Sequence, residues 1–446
     1  MDSLIPYRHL ENDYNDFKRE QLLPHKLSTQ GPTITKADVN NDGLEDIYVG
    51  GAKGSEGRMF KQTSSGKFLS INEKIFITDK ESEDIGSLFF DADKDGDMDL
   101  YVVSGGNDFD EDSVELQDRL VPGKYPTAPR SYILQNNGKG TFTDITFTVN
   151  PDLEYPGMVT DALWTDFDND NINDLILVGE WMKIRTFKNV SGKLVEVYEN
   201  NGLNDSEGWW NSIEQGDFDK DGDMDYIVGN FGRNSQLKTS PSEPVTLYTK
   251  DFDSNGSLDP ILCSYNLGEE FPVFSKDDMV GQLSGLKGKY LNYSDYASAR
   301  ITDVFSPEEL KGAMVLKAKN FNTSYMENLG DGKFKIVPLP IETQFSPIYG
   351  ILNGDFNNDG NEDVVVGGNF FGTRVKFGRY DANKGLVLCG DGKGNFKPST
   401  VMESGLNIDG EIRDITKITL ADKTEVVLFV RNNDGIAMYK IESTKK

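Results

Sequence analysis

Short apolar runs recur along the chain, and each begins at the last aspartate of an acidic stretch. They read DIYVGG from Asp46, DLYVVSGG from Asp99, DLILVGEW from Asp174, DYIVGNFG from Asp225, DPILCSYN from Asp259 and DVVVGGNFFG from Asp363. Runs this short, rich in Val, Ile, Leu and Tyr and bounded by Gly, Asn and Asp, predict buried β-strands. Between them lie small Gly turns followed by an aromatic or aliphatic residue: TSSGKFLSI, NNGKGTFTDI, NVSGKLVEV, NLGDGKFKIV and GDGKGNFKPS. Asn-Gly and Asp-Gly pairs mark tight hairpins. One unit is therefore strand, acidic loop, strand, connection, strand, Gly turn, strand, repeating roughly every 50 residues. Four antiparallel strands per repeat predict an all-β fold, a seven-bladed β-propeller spanning 1–446 as a single domain. Six units carry the acidic loop; the seventh, IRDITKITLADKTEVVLFVRNNDGIAMYKI (412–441), does not. A ring must close or leave edge strands exposed. The arm 1–30 is therefore expected to supply the missing outer strand of the last unit.

The acidic stretches share one pattern: Asp or Asn at positions 1, 3, 5 and 9, usually with Gly at 6. They are DVNNDGLED, DADKDGDMD, DFDNDNIND, DFDKDGDMD, DFDSNGSLD and DFNNDGNED. So many carboxylates in so short a span repel one another unless a cation lies among them. Ca²⁺ takes six to eight oxygen ligands at about 2.3–2.6 Å. Side chains at 1, 3 and 5 can converge on one point, Gly at 6 permits the sharp turn, the carbonyl at 7 adds an oxygen and Asp at 9 closes the shell.

The expected ligands of the first loop are Asp38, Asn40, Asp42, the Leu44 carbonyl and Asp46, and of the second Asp91, Asp93, Asp95, the Asp97 carbonyl and Asp99. The third offers Asp166, Asp168, Asp170, the Ile172 carbonyl and Asp174; the fourth, Asp217, Asp219, Asp221, the Asp223 carbonyl and Asp225. The fifth offers Asp251, Asp253, Asn255, the Ser257 carbonyl and Asp259, and the sixth Asp355, Asn357, Asp359, the Asn361 carbonyl and Asp363. About five to six calcium ions are expected. The third and fifth loops depart from the pattern, with Asn171 in place of Gly and Asn255 at position 5. EF-hands are excluded, because they need Glu at position 12 and flanking helices. Here position 12 is Val49, Val102, Leu177, Val228, Leu262 or Val366, and a strand follows.

Composition narrows the partners. A formal charge of −28 argues against nucleic acid and anionic membrane, which need Lys/Arg surfaces. No run of 18 apolar residues reads as a membrane-spanning helix. The first residues lack a basic stretch followed by an apolar one, so a signal peptide is not expected; this fits an intracellular protein, a mature form or a fragment. Cys263 and Cys389 sit in apolar runs and read as buried strand thiols, with a disulfide between them left open. The two histidines, His9 and His25, both lie in the N-terminal arm. No nucleophile elbow, zinc spacing or phosphate loop is present, so an enzyme is not expected. A calcium-dependent, lyase-like polysaccharide-degrading enzyme is the alternative, and a purely structural module of a larger surface protein is another.

The D-x-[DN]-x-D-G-x-x-D loop followed by YVGG or IVGN resembles the FG-GAP/VCBS repeats of integrin-α-type propellers. LLPHKLSTQGP, LVGEWM, DFDSNGSLDPIL, LPIETQFSPIYGILNGDFNNDG and GRYDANKGLVL resemble the cartilage-acidic-protein-like (ASPIC/UnbV-associated) proteins of Bacteroidetes. The resemblance implies a secreted, periplasmic or cell-surface calcium propeller, a monomer or part of a longer polypeptide. Some members are labelled RNA-binding, a label the charge argues against.

Propeller geometry places the calcium loops on one face and whatever follows each second strand on the other. Two insertions fall there, 104–131 and 265–313, the second with helical apolar spacing at Met279, Leu283 and Leu286. The same face is expected to carry Trp181, Asn230, Phe231, Arg233, Asn369, Phe370, Phe371 and Arg374, with Trp209 and Trp210 nearby. Aromatics with Arg and Asn suit a glycan or a protein ligand.

Overall fold

The computed structural model describes residues 4–71, 76, 80, 83–90, 98–105, 123–136 and 142–441. Loop residues Asp91, Asp93, Asp95 and Asp97, and most of the 104–131 insertion, lie outside the described residues.

The strands follow the sequence pattern closely. The first sheet takes its strands in chain order: β1 (Ile34–Ala37), β2 (Asp46–Val49), β3 (Arg58–Gln62) and β4 (Phe68–Ile71). β5 (Glu83–Phe90) pairs with β6 (Asp99–Gly105), and β7 (Leu134–Asn136) with β8 (Phe142–Asp144). The next sheet runs β9 (Met158–Thr165), β10 (Asp174–Met182), β11 (Arg185–Val190) and β12 (Lys193–Val197), with the short β13 (Gly208–Trp209) adding to β10. All these pairings are antiparallel. β2 and β10 are buried along their whole length, which is why they read as unbroken apolar runs.

The chain then departs from simple order. β14 (Ser212–Gly216) and β15 (Asp225–Gly229) form a hairpin around the fourth loop. A separate sheet follows: β16 (Val245–Lys250), β17 (Asp259–Asn266), β18 (Glu269–Pro272) and, after five short helices, β19 (Met314–Ala318). Its order is β18-β17-β16-β19, so the last strand returns beside the first. Only then do β20 (Ser324–Asn328) and β21 (Phe334–Pro338) complete the sheet begun by β14 and β15. The series resumes with β22 (Ile348–Gly354), β23 (Asp363–Gly368), β24 (Leu386–Gly390) and β25 (Phe396–Pro398), and ends with β26 (Glu411–Thr419), β27 (Glu425–Asn432) and β28 (Ala437–Lys440). The expected count of seven treated the 251–259 hairpin as one more unit in line. Strand order sets it inside an insertion between β15 and β20 instead.

The first strands of the sheets lie side by side. β5 packs beside β1, β1 beside β26, β26 beside β22, β22 beside β14 and β14 beside β9. Apolar clusters fill the spaces between successive sheets. One joins Ile34, Ile47 and Phe60 to Ile418, Leu428 and Val430, and another joins Phe218 and Ile227 to Val364 and Leu388. Burying such a side chain contributes roughly 1.5–3 kcal/mol over leaving it exposed.

The N-terminal arm enters the first of these clusters through Ile5 and Tyr7. It meets the last sheet through one antiparallel bridge, Arg8 to Gly435, and through His9, whose N–H donates to the Asp434 carbonyl at 3.0 Å. Met279, Leu283 and Leu286 are all buried on the inserted helices, packed with Leu22 and Leu23 of the arm. Cys263 is buried, Cys389 half-buried, and both are free thiols. Among the described residues no helix is long and apolar enough to cross a membrane.

Candidate functional site

The five described acidic loops share one backbone path. The fourth residue has positive φ in each: Asn41, Asn169, Lys220, Ser254 and Asn358, between 56° and 65°. The sixth does too: Gly43, Gly222, Gly256 and Gly360 near 83–96°, and Asn171 at 65°. Asn tolerates this left-handed region better than other side chains, so the third loop keeps the turn without glycine. In four loops the first carboxylate accepts the N–H groups of positions 5 and 6, as Asp38 does from Asp42 (3.1 Å) and Gly43 (2.7 Å). The seventh N–H donates to the side chain at position 5 in all five.

This turn gathers carboxylates. Oxygens of Asp166, Asp168 and Asp174 lie within 4.8 Å of one another, as do those of Asp217, Asp219 and Asp221, and those of Asp251, Asp253 and Asp259. In the first and sixth loops an Asn holds position 3, and its amide donates to the ninth carboxylate: Asn40 to Asp46 at 2.7 Å, Asn357 to Asp363 at 3.4 Å.

The ninth aspartate has two duties. Asp46, Asp174, Asp225, Asp259 and Asp363 are all fully buried at the start of a second strand. Four of them also accept the backbone N–H at the third strand: Asp46 from Gln62 (2.8 Å), Asp174 from Asn189 (2.7 Å), Asp225 from Asn328 (2.8 Å) and Asp363 from Gly390 (3.0 Å). Asp259, in the inserted sheet, accepts instead from the Gln282 side chain at 2.7 Å.

Burial, then neighbouring loop carboxylates, pushes Asp174 up to about 6. Burial pushes Asp225 up to about 6 against its bond from Tyr325, and raises Asp46, Asp259 and Asp363 as well. Asp168 Oδ1, Asp174 Oδ2, Asp217 Oδ1 and Asp223 Oδ1 are buried without a hydrogen-bond partner. Orphaned carboxylate oxygens inside an all-oxygen donor set fit a hard divalent cation such as Ca²⁺. In the third loop Lys188 lies against Asp168 and reaches Asp170 at 3.1 Å, so a lysine ammonium already balances part of that charge.

The far ends of the second strands carry a different chemistry. Glu180 is six residues beyond Asp174 on β10, about 20 Å along the strand. At this end β5, β9, β22 and β26 each carry a bulge, with Ile85, Thr160, Tyr349 and Arg413 as the extra residues. A bulge redirects its side chain. Tyr349 thereby lines a pocket with His25, Glu180, Trp209, Phe231 and Phe370, and the Arg413 guanidinium stacks on Tyr349 at 4.5 Å. His25 Nε2 lies 3.0 Å from Glu180 Oε1, and the Tyr125 hydroxyl donates to that oxygen at 2.5 Å. The Trp181 Nε1–H donates to the Tyr125 oxygen at 2.7 Å. Trp209 stands edge-on to His25 (5.9 Å), Trp181 (5.0 Å) and Phe231 (4.8 Å).

Among the residues the sequence pointed to, Trp181, Phe231 and Phe370 come together here. Asn230 and Asn369 are buried nearby and spend their side chains on backbone groups: Asn230 on Trp209, Phe231 and Asn320, Asn369 on Asn383 and Gly410. The Phe371 ring lies under the Arg379 guanidinium, and Arg233 is exposed. Arg374 clamps arm to insertion: it donates to the Leu23 carbonyl (3.1 Å) and Asp278 (2.9 Å) and stacks on Phe17 and Phe274. His25, Tyr125, Glu180 and Tyr349 escaped the sequence reading. They lie in four separate segments, and only Glu180, within GEW beside Trp181, carried any local signal.

Residues 38–102 and 166–228 match the FG-GAP-like repeat family. No curated protein matches the chain. Among solved structures the chain is similar to the V. cholerae biofilm matrix protein Bap1, with 9% identity over 95% of this chain and 89% of the other and a TM-score of 0.29. It is also similar to BBS1N crystallised in complex with ARL6DN, with 9% identity over 95% of each chain and a TM-score of 0.34. At these scores neither likeness bears on the fold or function of this chain.

Proposed function

From a chain that carries FG-GAP-like repeats, we propose a calcium-binding β-propeller that acts as an extracellular binding module for a glycan or protein ligand. Six units make the ring, not seven: the first strands run in the order β5–β1–β26–β22–β14–β9, and the 251–259 hairpin belongs to the insertion. The module works outside the cytoplasm, secreted, periplasmic or on the cell surface, where millimolar calcium suits sites of about 10⁻⁴–10⁻³ M. With a net charge of −28 it does not bind nucleic acid.

One observation carries the calcium reading. In three loops the ninth aspartate both meets the turn and holds the third strand's N–H: Asp46 accepts from Asn40 and Asp363 from Asn357, and Asp174 lies with the Asp166 and Asp168 carboxylates. The loop carboxylates would hold the calcium, which would supply the positive charge they lack, and the ninth aspartates hold the third strand against the second. The loops are fasteners, and ligand binding belongs to the opposite ends of the strands, around Trp181, Phe231 and Phe370. Thermal melts in calcium and in excess chelator test the reading. A melting temperature several degrees lower in chelator is expected, because a ligand of the folded state alone stabilises it by mass action. Equal melting temperatures reject it.

A further inference from the structure

We propose that Lys61 and Lys188 are built-in counter-cations that divide the acidic loops into two classes, so that the first and third loops take up calcium only at concentrations about tenfold above the fourth and sixth. The inference rests on the reading of these loops as calcium sites and adds the residues that set each loop's affinity. The number of sites is unchanged.

One strand position separates the classes. In four loops the ninth aspartate accepts a third-strand N–H, from Gln62, Asn189, Asn328 or Gly390. The residues immediately before these are Lys61, Lys188, Glu327 and Cys389, and all four are half-buried. Lys61 Nζ lies 3.2 Å from Asp42 Oδ2, at position 5 of the first loop. Lys188 Nζ lies against Asp168 and 3.1 Å from Asp170 Oδ2, at positions 3 and 5 of the third. Glu327 takes Lys335 Nζ as its partner at 2.7 Å, and Cys389 is a free thiol beside Asn357. Among the described residues no lysine or arginine pairs with a ligand carboxylate of the fourth or sixth loop.

These loops form matched pairs. The third and fourth both carry Asp at positions 1, 3, 5 and 9, and only the third has the lysine. The first and sixth both carry Asn at position 3 with Asp at 1, 5 and 9, and only the first has the lysine. Within each pair the ligand set is held constant while the neighbouring charge changes. The affinity of an all-oxygen calcium loop follows the charge of its ligands. An ammonium in contact with a ligand carboxylate lowers that charge, and it must either stay and repel a divalent cation or give up its ion pair. The fifth loop stands outside both pairs. Its ninth aspartate accepts from Gln282, and Lys124 reaches the Gly256 carbonyl in place of a carboxylate. On the ring the two lysine-free loops of the pairs belong to neighbouring sheets, because β22 packs beside β14. Those sheets are therefore the first to be fastened as calcium rises.

Hydrogen-exchange mass spectrometry of the chelator-stripped full chain, over stepped calcium concentrations, reads each loop separately. Peptides spanning 217–225 and 355–363 should gain protection at calcium concentrations about tenfold below those spanning 166–174 and 38–46. Lys188→Gln should bring the midpoint of 166–174 down about tenfold, and Lys61→Gln that of 38–46, each leaving the other loops where they were. Glu327→Lys, which places an ammonium beside the fourth loop, should raise the midpoint of 217–225 by a similar factor, and it decides the matter where a lysine variant proves unstable. The proposal is overturned if all loops gain protection at one calcium concentration, if the substitutions move no midpoint, or if each moves every midpoint alike, as a change in global stability would. The calcium reading survives each of these outcomes. Protection that no calcium concentration alters overturns both.

Discussion

The Tyr325 hydroxyl donates to Asp225 Oδ2 at 2.6 Å although the residues are 100 positions apart. Asp225 opens the second strand of its sheet and Tyr325 lies in the third, with the whole inserted sheet between them in sequence. Together with the bond from the Asn328 N–H, this contact registers the returning chain on β15. Asp225→Ala should strand a buried hydroxyl and a buried amide. The expected cost is on the order of 2–4 kcal/mol, readable as a shift of the urea midpoint with chelator present.

Asp217 in the same loop should behave in the opposite way. Its Oδ1 is buried without a partner, so in metal-free protein its charge is a liability. Asp217→Asn should leave the melting temperature in chelator unchanged or higher and lower it in calcium. A fall of equal size under both conditions would show that the carboxylate serves the fold and not a cation.

The arm carries an acid-sensitive group. His9 is buried, and burial pushes its pKa down to about 4 despite its bond to Asn432. The folded state thus resists a proton that the unfolded chain accepts near 6.5. Its contribution is complete above about 6.5 and lost as pH falls toward 4, up to roughly 3 kcal/mol. Asp161, Asp414 and Glu214 act in the other direction. Burial raises them to about 6, 6 and 7, so what they contribute is lost as pH rises through those values. The comparison that isolates the histidine is wild type against His9→Gln: the stability gap between them should narrow or reverse between pH 6.5 and 4.5.

The fifth loop should report to the pocket. Leu258 N–H donates to the Gly123 carbonyl at 3.0 Å, Lys124 Nζ to the Gly256 carbonyl at 2.5 Å, and Tyr125 reaches Glu180. Calcium should therefore slow amide exchange in 123–127, and Asp251→Asn with Asp253→Asn should abolish that slowing while the same changes at Asp217 and Asp219 leave it intact.

Much of this architecture was legible in the chain. Loop spacing marked each hairpin, and runs such as DLILVGEW marked strands buried on both faces, because side-chain period and turn chemistry are local properties. The insertion was not legible. The 251–259 hairpin has the same local pattern as its neighbours, and what distinguishes it is that β20 pairs with β15 across the intervening sheet. The arm's part in the pocket was hidden for a similar reason. His25 meets Glu180 only because Leu22 and Leu23 bury against the inserted helices, a long-range consequence of packing that no spacing rule reports.

Calorimetric titration of chelator-stripped protein with calcium tests the central claim most directly. About five to six ions should bind at roughly 10⁻⁴–10⁻³ M, with the count falling by one in Asp217→Asn. A flat titration would contradict it.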